Sequence, residues 1–333
     1  MNKTQKVIVS PGPHLKNAVS VTSAMKDVAI AALPVVLVAI YFFKAYTVFF
    51  IAVCLATAAL AEIVFRKMMR KKPSLNDGSA LLTGLLLALC FPATTAWWKG
   101  AIATFIAVGI AKELMGGLGW NRFNPALFGR VSMIIFAPWI AYINGAFSSL
   151  NVNLGAVDVM THATPLALMK SGMELPSYGA LFLGFPGGAI SECSVLAVLI
   201  GGGYLLYKRH INWRVPVSIL VTVAILSLLF GQNALNHLLT GGIMFGAFFM
   251  ATDWVTSPVT NTGKYIFGVF IGILIILFRI VLAPTEGVAF SILIMNAFVP
   301  AIDKFAINYD QKGSIPLFVK ATANKAPTID SKG

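Results

Sequence analysis

Apolar runs of about 16 to 23 residues recur along the whole chain, separated by short polar and basic loops, and runs of that length predict helices that cross a bilayer. They fall at 28–43, 46–65, 79–96, 98–116 and 125–144, and again at 189–207, 214–231, 236–253, 264–282 and 286–303. Between the two sets lies the stretch 145–188, rich in Gly, Ser, Asn and Pro and too long for a tight connector. Five spans per set invert the second set relative to the first, as in the inverted repeats of transporters. Short echoes in the same order support this: Leu81-Leu82-Thr83-Gly84 with Leu238-Leu239-Thr240-Gly241, Phe123-Asn124-Pro125-Ala126 with Asn296-Ala297-Phe298-Val299-Pro300, and Pro34 with Pro216. The expected fold is an all-α polytopic membrane protein of about ten transmembrane helices in two inverted five-helix repeats. Its expected divisions are an N-terminal segment 1–27, a first repeat 28–144, a loop 145–188, a second repeat 189–303 and a tail 304–333.

Composition agrees, with 58% hydrophobic and only 11% charged residues. Met1 to Lys26 is polar and basic, without the apolar stretch and small-residue cleavage site of a removed leader, so the first run is expected to remain as a membrane helix. The formal net charge of +13 is distributed by loop. Lys3, Lys6, Lys16 and Lys26, then Arg66, Lys67, Arg70, Lys71 and Lys72, then Arg122, then Lys208, Arg209 and Arg214, then Lys264, then Lys304 and Lys312 occupy alternate connections, and the other loops hold Lys44, Lys99 and Lys170. That alternation follows the positive-inside rule, placing both termini in the cytoplasm and the central loop outside, and it excludes a nucleic-acid surface. Cys54, Cys90 and Cys193 are far apart, with no CxxC pair, so they predict packed small residues and no metal ligand set.

Six ionisable residues stand inside or at the ends of apolar runs: Glu113, Arg130, Glu192, Asp253, Arg279 and Glu286. An unpaired charge there costs several kcal/mol, so each is expected to face a partner, a cavity or the bundle interior. Arg130 and Arg279 keep a second reading, snorkelling to an interface, whereas the short side chains of Glu192 and Asp253 snorkel poorly. Glycine runs at Gly201–Gly203, Gly116–Gly119 and Gly184–Gly188 predict helix packing for the first and leave helix packing or a shaped cofactor site open for the other two. No P-loop and no GxGxxG after a strand is present, so dinucleotide binding is not supported.

The loop Asp158-Val159-Met160-Thr161-His162-Ala163-Thr164-Pro165-Leu166 holds the remaining chemistry. On local rules Thr164 is a helix N-cap, Pro165 the first helical residue, and Leu166 to Lys170 helix formers. A threonine hydroxyl before proline can also be a covalent attachment point, but local rules alone favour the cap. His162 has no histidine spaced with it as a site.

The order of features resembles the D subunit of the Rnf electron-transport complex and, more distantly, the B subunit of the sodium-translocating NADH:quinone oxidoreductase. Asp77-Gly78-Ser79-Ala80 before Leu82-Thr83-Gly84, Gly116-Gly117-Leu118-Gly119 before Phe123-Asn124-Pro125-Ala126, and the loop 158–166 carry it. Thr252-Asp253 with Thr256-Ser257-Pro258, and Glu286-Gly287 before Met295-Asn296 and Pro300, complete it. The resemblance implies FMN joined through its phosphate to a threonine in a Ser/Thr-x-Ala-Thr pattern, installed by a flavin transferase that uses FAD. Here the pattern is Thr161-His162-Ala163-Thr164, so Thr164 is the implied attachment residue, with Thr161, Ala163 and Asp158 flanking it. A phosphodiester at a helix start keeps its charge beside free N–H groups, so cap and attachment are compatible. His162 departs from the small residue of many relatives. Ser191-Glu192 and Thr285-Glu286 depart from the family's Gly-Glu and Pro-Glu pairs, so no role is carried over to either glutamate.

The resemblance further implies an inner-membrane component that relays electrons between reduced ferredoxin and NAD, coupled to Na⁺ or H⁺ movement. Its implied partners are the Rnf subunits A, B, C, E and G and membrane lipid, and a second, noncovalent riboflavin is left open. A small-solute channel or secondary transporter without flavin is the alternative that the repeats and intramembrane carboxylates also allow.

Overall fold

In the computed structural model the described residues are 20–71, 74–136, 164–281 and 286–314. Their regular elements are helices, joined by one isolated antiparallel bridge between Pro92 and Ala189. The longest helix, α1 (Val21–Met68), starts on a Ser20 cap whose hydroxyl accepts from the Ser23 amide at 3.1 Å. Lys44, at φ 54 and ψ −140, breaks it into two legs, where the predicted spans 28–43 and 46–65 meet. Next come α2 (Ser79–Cys90), α3 (Trp97–Ile106) with a π-helical continuation Ala107–Leu114, and α4 (Pro125–Ile135). Two short helices, α5 (Pro165–Ser171) and α6 (Tyr178–Leu183), precede α7 (Val195–Tyr207) and α8 (Arg214–Leu229). Then follow α9 (Ala234–Leu239), α10 (Ile243–Phe245) with a π-helical turn Gly246–Met250, α11 (Asn261–Val281) and α12 (Gly287–Ser314).

Three of these, α1, α11 and α12, are long and apolar enough to cross a membrane by themselves. The others differ from the predicted runs in a consistent way. The run 79–96 is helical only to Cys90, 189–207 only from Val195, and 236–253 is split at Thr240 to Gly242. Hydropathy reports that a segment is apolar; it does not distinguish a continuous helix from one whose broken backbone is sheltered by neighbours. Leu37, Tyr41, Leu60, Val221, Leu228 and Val281 are exposed, so the outer faces are apolar, the reverse of a soluble surface.

Close packing explains the glycine spacing. A Cβ on Gly201 would stand 2.0 Å from the Ala31 carbonyl oxygen, and one on Gly268 or Gly272 2.6 or 2.7 Å from the Cβ of Ser218 or Thr222. Helix α7 thus lies directly on α1, and α11 on α8, through small residues, as expected for Gly201 and Gly202, whereas Gly203 is exposed. Helix starts at Ser79, Trp97 and Pro125 recur at Ile243, Asn261 and Gly287, that is 164, 164 and 162 positions later. The first pair of starts each follows a left-handed glycine, Gly78 or Gly242. In that register the Leu-Leu-Thr-Gly echo does not correspond: Leu81–Gly84 lie inside α2, but Leu238-Leu239 close α9 and Thr240-Gly241 follow it.

Candidate functional site

Thr164 caps α5. Its hydroxyl accepts from the Ala167 amide at 3.1 Å, and its carbonyl accepts from Ala167 and Leu168 at 2.7 and 3.0 Å. Proline follows at the first helical position, where a missing N–H is no loss. Leu166 is 1% exposed and anchors this cap in the second half of the chain, since a Cβ on Gly241 would meet its Cδ2 at 2.9 Å. Burial of one leucine is worth about 2 kcal/mol, enough to hold a seven-residue helix that has little stability of its own. Thr161, Asp158 and Ala163 lie outside the described residues.

Thr164 and Leu166 line a cavity of about 250 Å³ together with Cys90, Arg130, Glu192 and Glu286. Gly188, Gly241, Gly242 and Gly246 also face it. Gly241 and Gly242, at φ 68 and 65, are left-handed, a conformation that costs other residues about 1–2 kcal/mol and lets the chain break between α9 and α10. The bared carbonyls of that break are taken by Arg279. Its Nη1 donates to the His237 carbonyl at 2.6 Å and its Nη2 to those of Thr240 and Gly241 at 2.8 and 3.3 Å. Arg279 is 6% exposed, so of its two readings the interior one holds. The His237 ring packs beside it, Nδ1 at 3.3 Å, with Nε2 bonded to Gln232.

Glu192 ends a 3-10 turn, Ile190–Glu192, that is tied to α2 by an Ile190 amide donating to Phe91 at 2.9 Å. Its carboxylate sits between two glycines: a Cβ on Gly188 would be 2.3 Å from Oε2 and one on Gly242 3.0 Å from Oε1. Of the run Gly184–Gly188, Gly188 faces this cavity. Arg130 is ion-paired with Glu286, and its guanidinium lies 4.7 Å over the Phe91 ring. The pair joins α4 to the turn before α12, across the two sets of helices.

The opposite, basic end of the bundle holds a second cavity, about 380 Å³, lined by Asn121, Asn124, His210, Thr252, Asp253 and Trp254 among others. Asn124 caps α4, accepting from Ala126 and Leu127 at 3.0 and 3.3 Å, and donates to the Met250 carbonyl at 3.1 Å. Asp253 accepts from the Thr256 hydroxyl at 2.9 Å. Gly119, from the second ambiguous glycine run, also lines this space.

Beside it lies a charge cluster of which the sequence pattern had marked only Glu113. Arg66 Nε is 3.0 Å from Glu113 and 3.5 Å from Glu62, while Lys112 Nζ is 3.5 Å from Glu62, 3.6 Å from Glu113 and 2.7 Å from Ser79 Oγ. Glu62 also accepts from the Ser74 amide and hydroxyl at 3.1 and 2.8 Å. Lys112 and its neighbour Glu113 are both buried, and both lie in the π-helical turn. Glu62 and Lys112 stand inside apolar runs like the six residues singled out, so the same criterion, applied to them, would have found them. A separate trio, Asp27 with His210 at 2.7 Å and Tyr204 at 2.9 Å, carried no sequence signal because its members are about 180 residues apart. Cys54 and Cys193 are buried, Cys90 is half-buried, and all three are free thiols.

A profile described as the NQR2, RnfD, RnfE family matches residues 8–311. Against the D component of the Na(+)-translocating ferredoxin:NAD(+) oxidoreductase complex of Acetobacterium woodii the chain is 40% identical over 301 residues, covering 89% of this chain and 92% of the relative. Against the D component of the proton-translocating ferredoxin:NAD(+) oxidoreductase complex of Clostridium ljungdahlii it is 39% identical, covering 89% and 93%. Against the D component of the ion-translocating oxidoreductase complex of Aliivibrio salmonicida it is 36% identical, covering 89% and 96%.

Proposed function

Because the chain belongs to the NQR2, RnfD, RnfE family, we propose that it is the D-type membrane component of an ion-translocating ferredoxin:NAD⁺ oxidoreductase complex and carries one FMN esterified to Thr164. The observation that supports the site is that Thr164, at the start of α5, lines the cavity of about 250 Å³. Gly188 and Gly242 line this cavity beside Glu192, and Cβ atoms at either position would crowd the Glu192 carboxylate. An FMN bound there supplies electron transfer in one- or two-electron steps.

The chain's own contribution is position and dielectric. Esterification leaves the Thr164 oxygen able to accept from the Ala167 amide, so the cap survives modification. Leu166 and Arg279 fix the cap and the cavity floor relative to each other, and the Arg130–Glu286 pair keeps the wall neutral. Thr161, Asp158 and Ala163 flank the attachment point and present it to the flavin transferase. The cavity at the basic end is the place for a noncovalent riboflavin, whose polar ring edge Asn121, Asn124 and Asp253 would meet.

In this reading the protein lies in the bacterial inner membrane with about ten spans, both termini in the cytoplasm and Thr164 on the outer side. The recurring helix starts 164, 164 and 162 positions apart support two inverted halves. Its partners are the Rnf subunits A, B, C, E and G, and its electron relay is coupled to Na⁺ or H⁺ movement. The test is the intact mass of the denatured chain from cells containing the transferase. Wild type carries one FMN increment and a fluorescent band on a denaturing gel, and Thr164→Val carries neither; a wild-type chain without the increment refutes covalent attachment.

A further inference from the structure

At the basic end a third cavity, about 720 Å³, opens between the turn joining α7 to α8 and the start of α11, with Arg209, Asn212, Trp213, Trp254, Ser257 and Lys264 around it. Among the described residues no carboxylate lies within ion-pair distance of Arg209, Lys264 or the adjoining Arg214; Asp303 acts on Lys264 from farther away, and the Lys264 ammonium donates to the Val259 carbonyl at 3.2 Å. The nearby carboxylates each have hydrogen-bond partners of their own. Asp27 is held by His210 and Tyr204, Asp253 by Thr256, and Asp303 accepts from the Val259 amide at 3.0 Å.

Arg214 stands close enough to Lys264 for the like charges to repel, and its buried Nε has no hydrogen-bond partner. Its guanidinium lies 5.1 Å from the centre of the Trp213 ring and 5.8 Å from that of Tyr265, two rings that pack edge to face. Arg209 is held at φ 58, a left-handed conformation unfavourable for a side chain of its size. Leu206, Ile211, Pro258 and Val259 supply an apolar wall on the same cavity, and Trp213 and Trp254 are half-exposed beside it.

We propose that this cavity binds the phosphate headgroup of an anionic phospholipid, with Arg209 and Lys264 on the phosphate and the apolar wall along the upper acyl chain. A soluble anion has no use for that wall, and a zwitterionic lipid adds its own cation to a site already rich in them. Basic pockets between membrane helices at this face hold anionic headgroups in general, each cation contributing about 1 kcal/mol. The site is distinct from the Thr164 cavity and does not depend on a flavin.

The test is native mass spectrometry of the complete complex in nonionic detergent, titrated with phosphatidylglycerol. Wild type takes up phosphatidylglycerol in preference to phosphatidylcholine, inorganic phosphate does not compete, and Arg209→Gly with Lys264→Gln weakens uptake by roughly tenfold to thirtyfold. Arg209→Lys keeps it. Uptake by the double variant equal to wild type, equal uptake of phosphatidylcholine, or displacement by inorganic phosphate overturns the proposal. So does loss of a partner protein with lipid uptake unchanged, which makes the surface a protein contact. Should the double variant not assemble, Arg209→Gly alone is read in the same way with a loss of about fivefold, since it removes one cation and glycine adopts that turn's backbone freely.

Discussion

At the basic end of the bundle Glu62, Arg66, Lys112 and Glu113 neutralise one another, whereas at the Thr164 end, beside the Arg130–Glu286 pair, Arg279 is hydrogen-bonded to backbone carbonyls and Glu192 lies against two glycines. The first arrangement is a closed set of ion pairs that ties α1, α2 and the π-helical turn together. The second spreads charge onto a broken backbone, and the break is what opens a cavity beside Thr164. Buried ions therefore do different work at the two ends: one fastens helices, the other props open a space. Charge alone does not mark the cavity at Thr164; the kind of partner to which the charge is bound does.

Breaking the closed set should have the largest effect. Lys112→Met leaves Glu62 and Glu113 facing each other with one cation fewer, a loss of about 3–5 kcal/mol, read as a lower thermal unfolding temperature of the assembled complex. Lys112→Met combined with Glu113→Gln should recover part of it; no recovery argues against mutual neutralisation. At the other end, Arg279→Met strands the carbonyls of His237, Thr240 and Gly241 and should cost about 3 kcal/mol while lowering covalent flavin occupancy severalfold. Equal stability losses with unchanged occupancy would erase the contrast between the ends.

Gly242→Ala places a Cβ 3.0 Å from Glu192 in a left-handed turn. It should cost about 1–2 kcal/mol and reduce flavin occupancy, whereas an alanine at exposed Gly203 should do neither. Smallest of all, Thr164→Ser keeps both cap and hydroxyl, so the FMN mass increment should remain and stability should stay within about 0.5 kcal/mol of wild type. Loss of the increment in the serine variant would mean that the transferase reads the methyl group as well as the oxygen.

The cap at Thr164 and Pro165 was readable because capping is a local matter of one hydroxyl and the next three amides. The break at Lys44 was readable too, as a charged residue between two apolar runs. By contrast, the gap at Thr240 to Gly242 looked like one unbroken span, since its residues are as apolar as those of a helix and the arginine that stabilises it comes from α11. Arg130 found Glu286 across 156 positions, and Asp27 found His210 across 183, separations at which no spacing rule operates.

By itself, the sequence determined that the chain is an apolar helical protein, which of its ends is basic, where Thr164 caps a helix, and, through ordered motifs, its family. Those are properties of composition, local backbone geometry and the fixed length a bilayer demands. Only the tertiary structure decided which helices are continuous, which charges neutralise each other, and that Thr164 meets a cavity floored by Gly241 and Gly242. The reason is that burial and pairing join residues from distant parts of the chain, and the energy of a buried charge depends on the neighbour that reaches it.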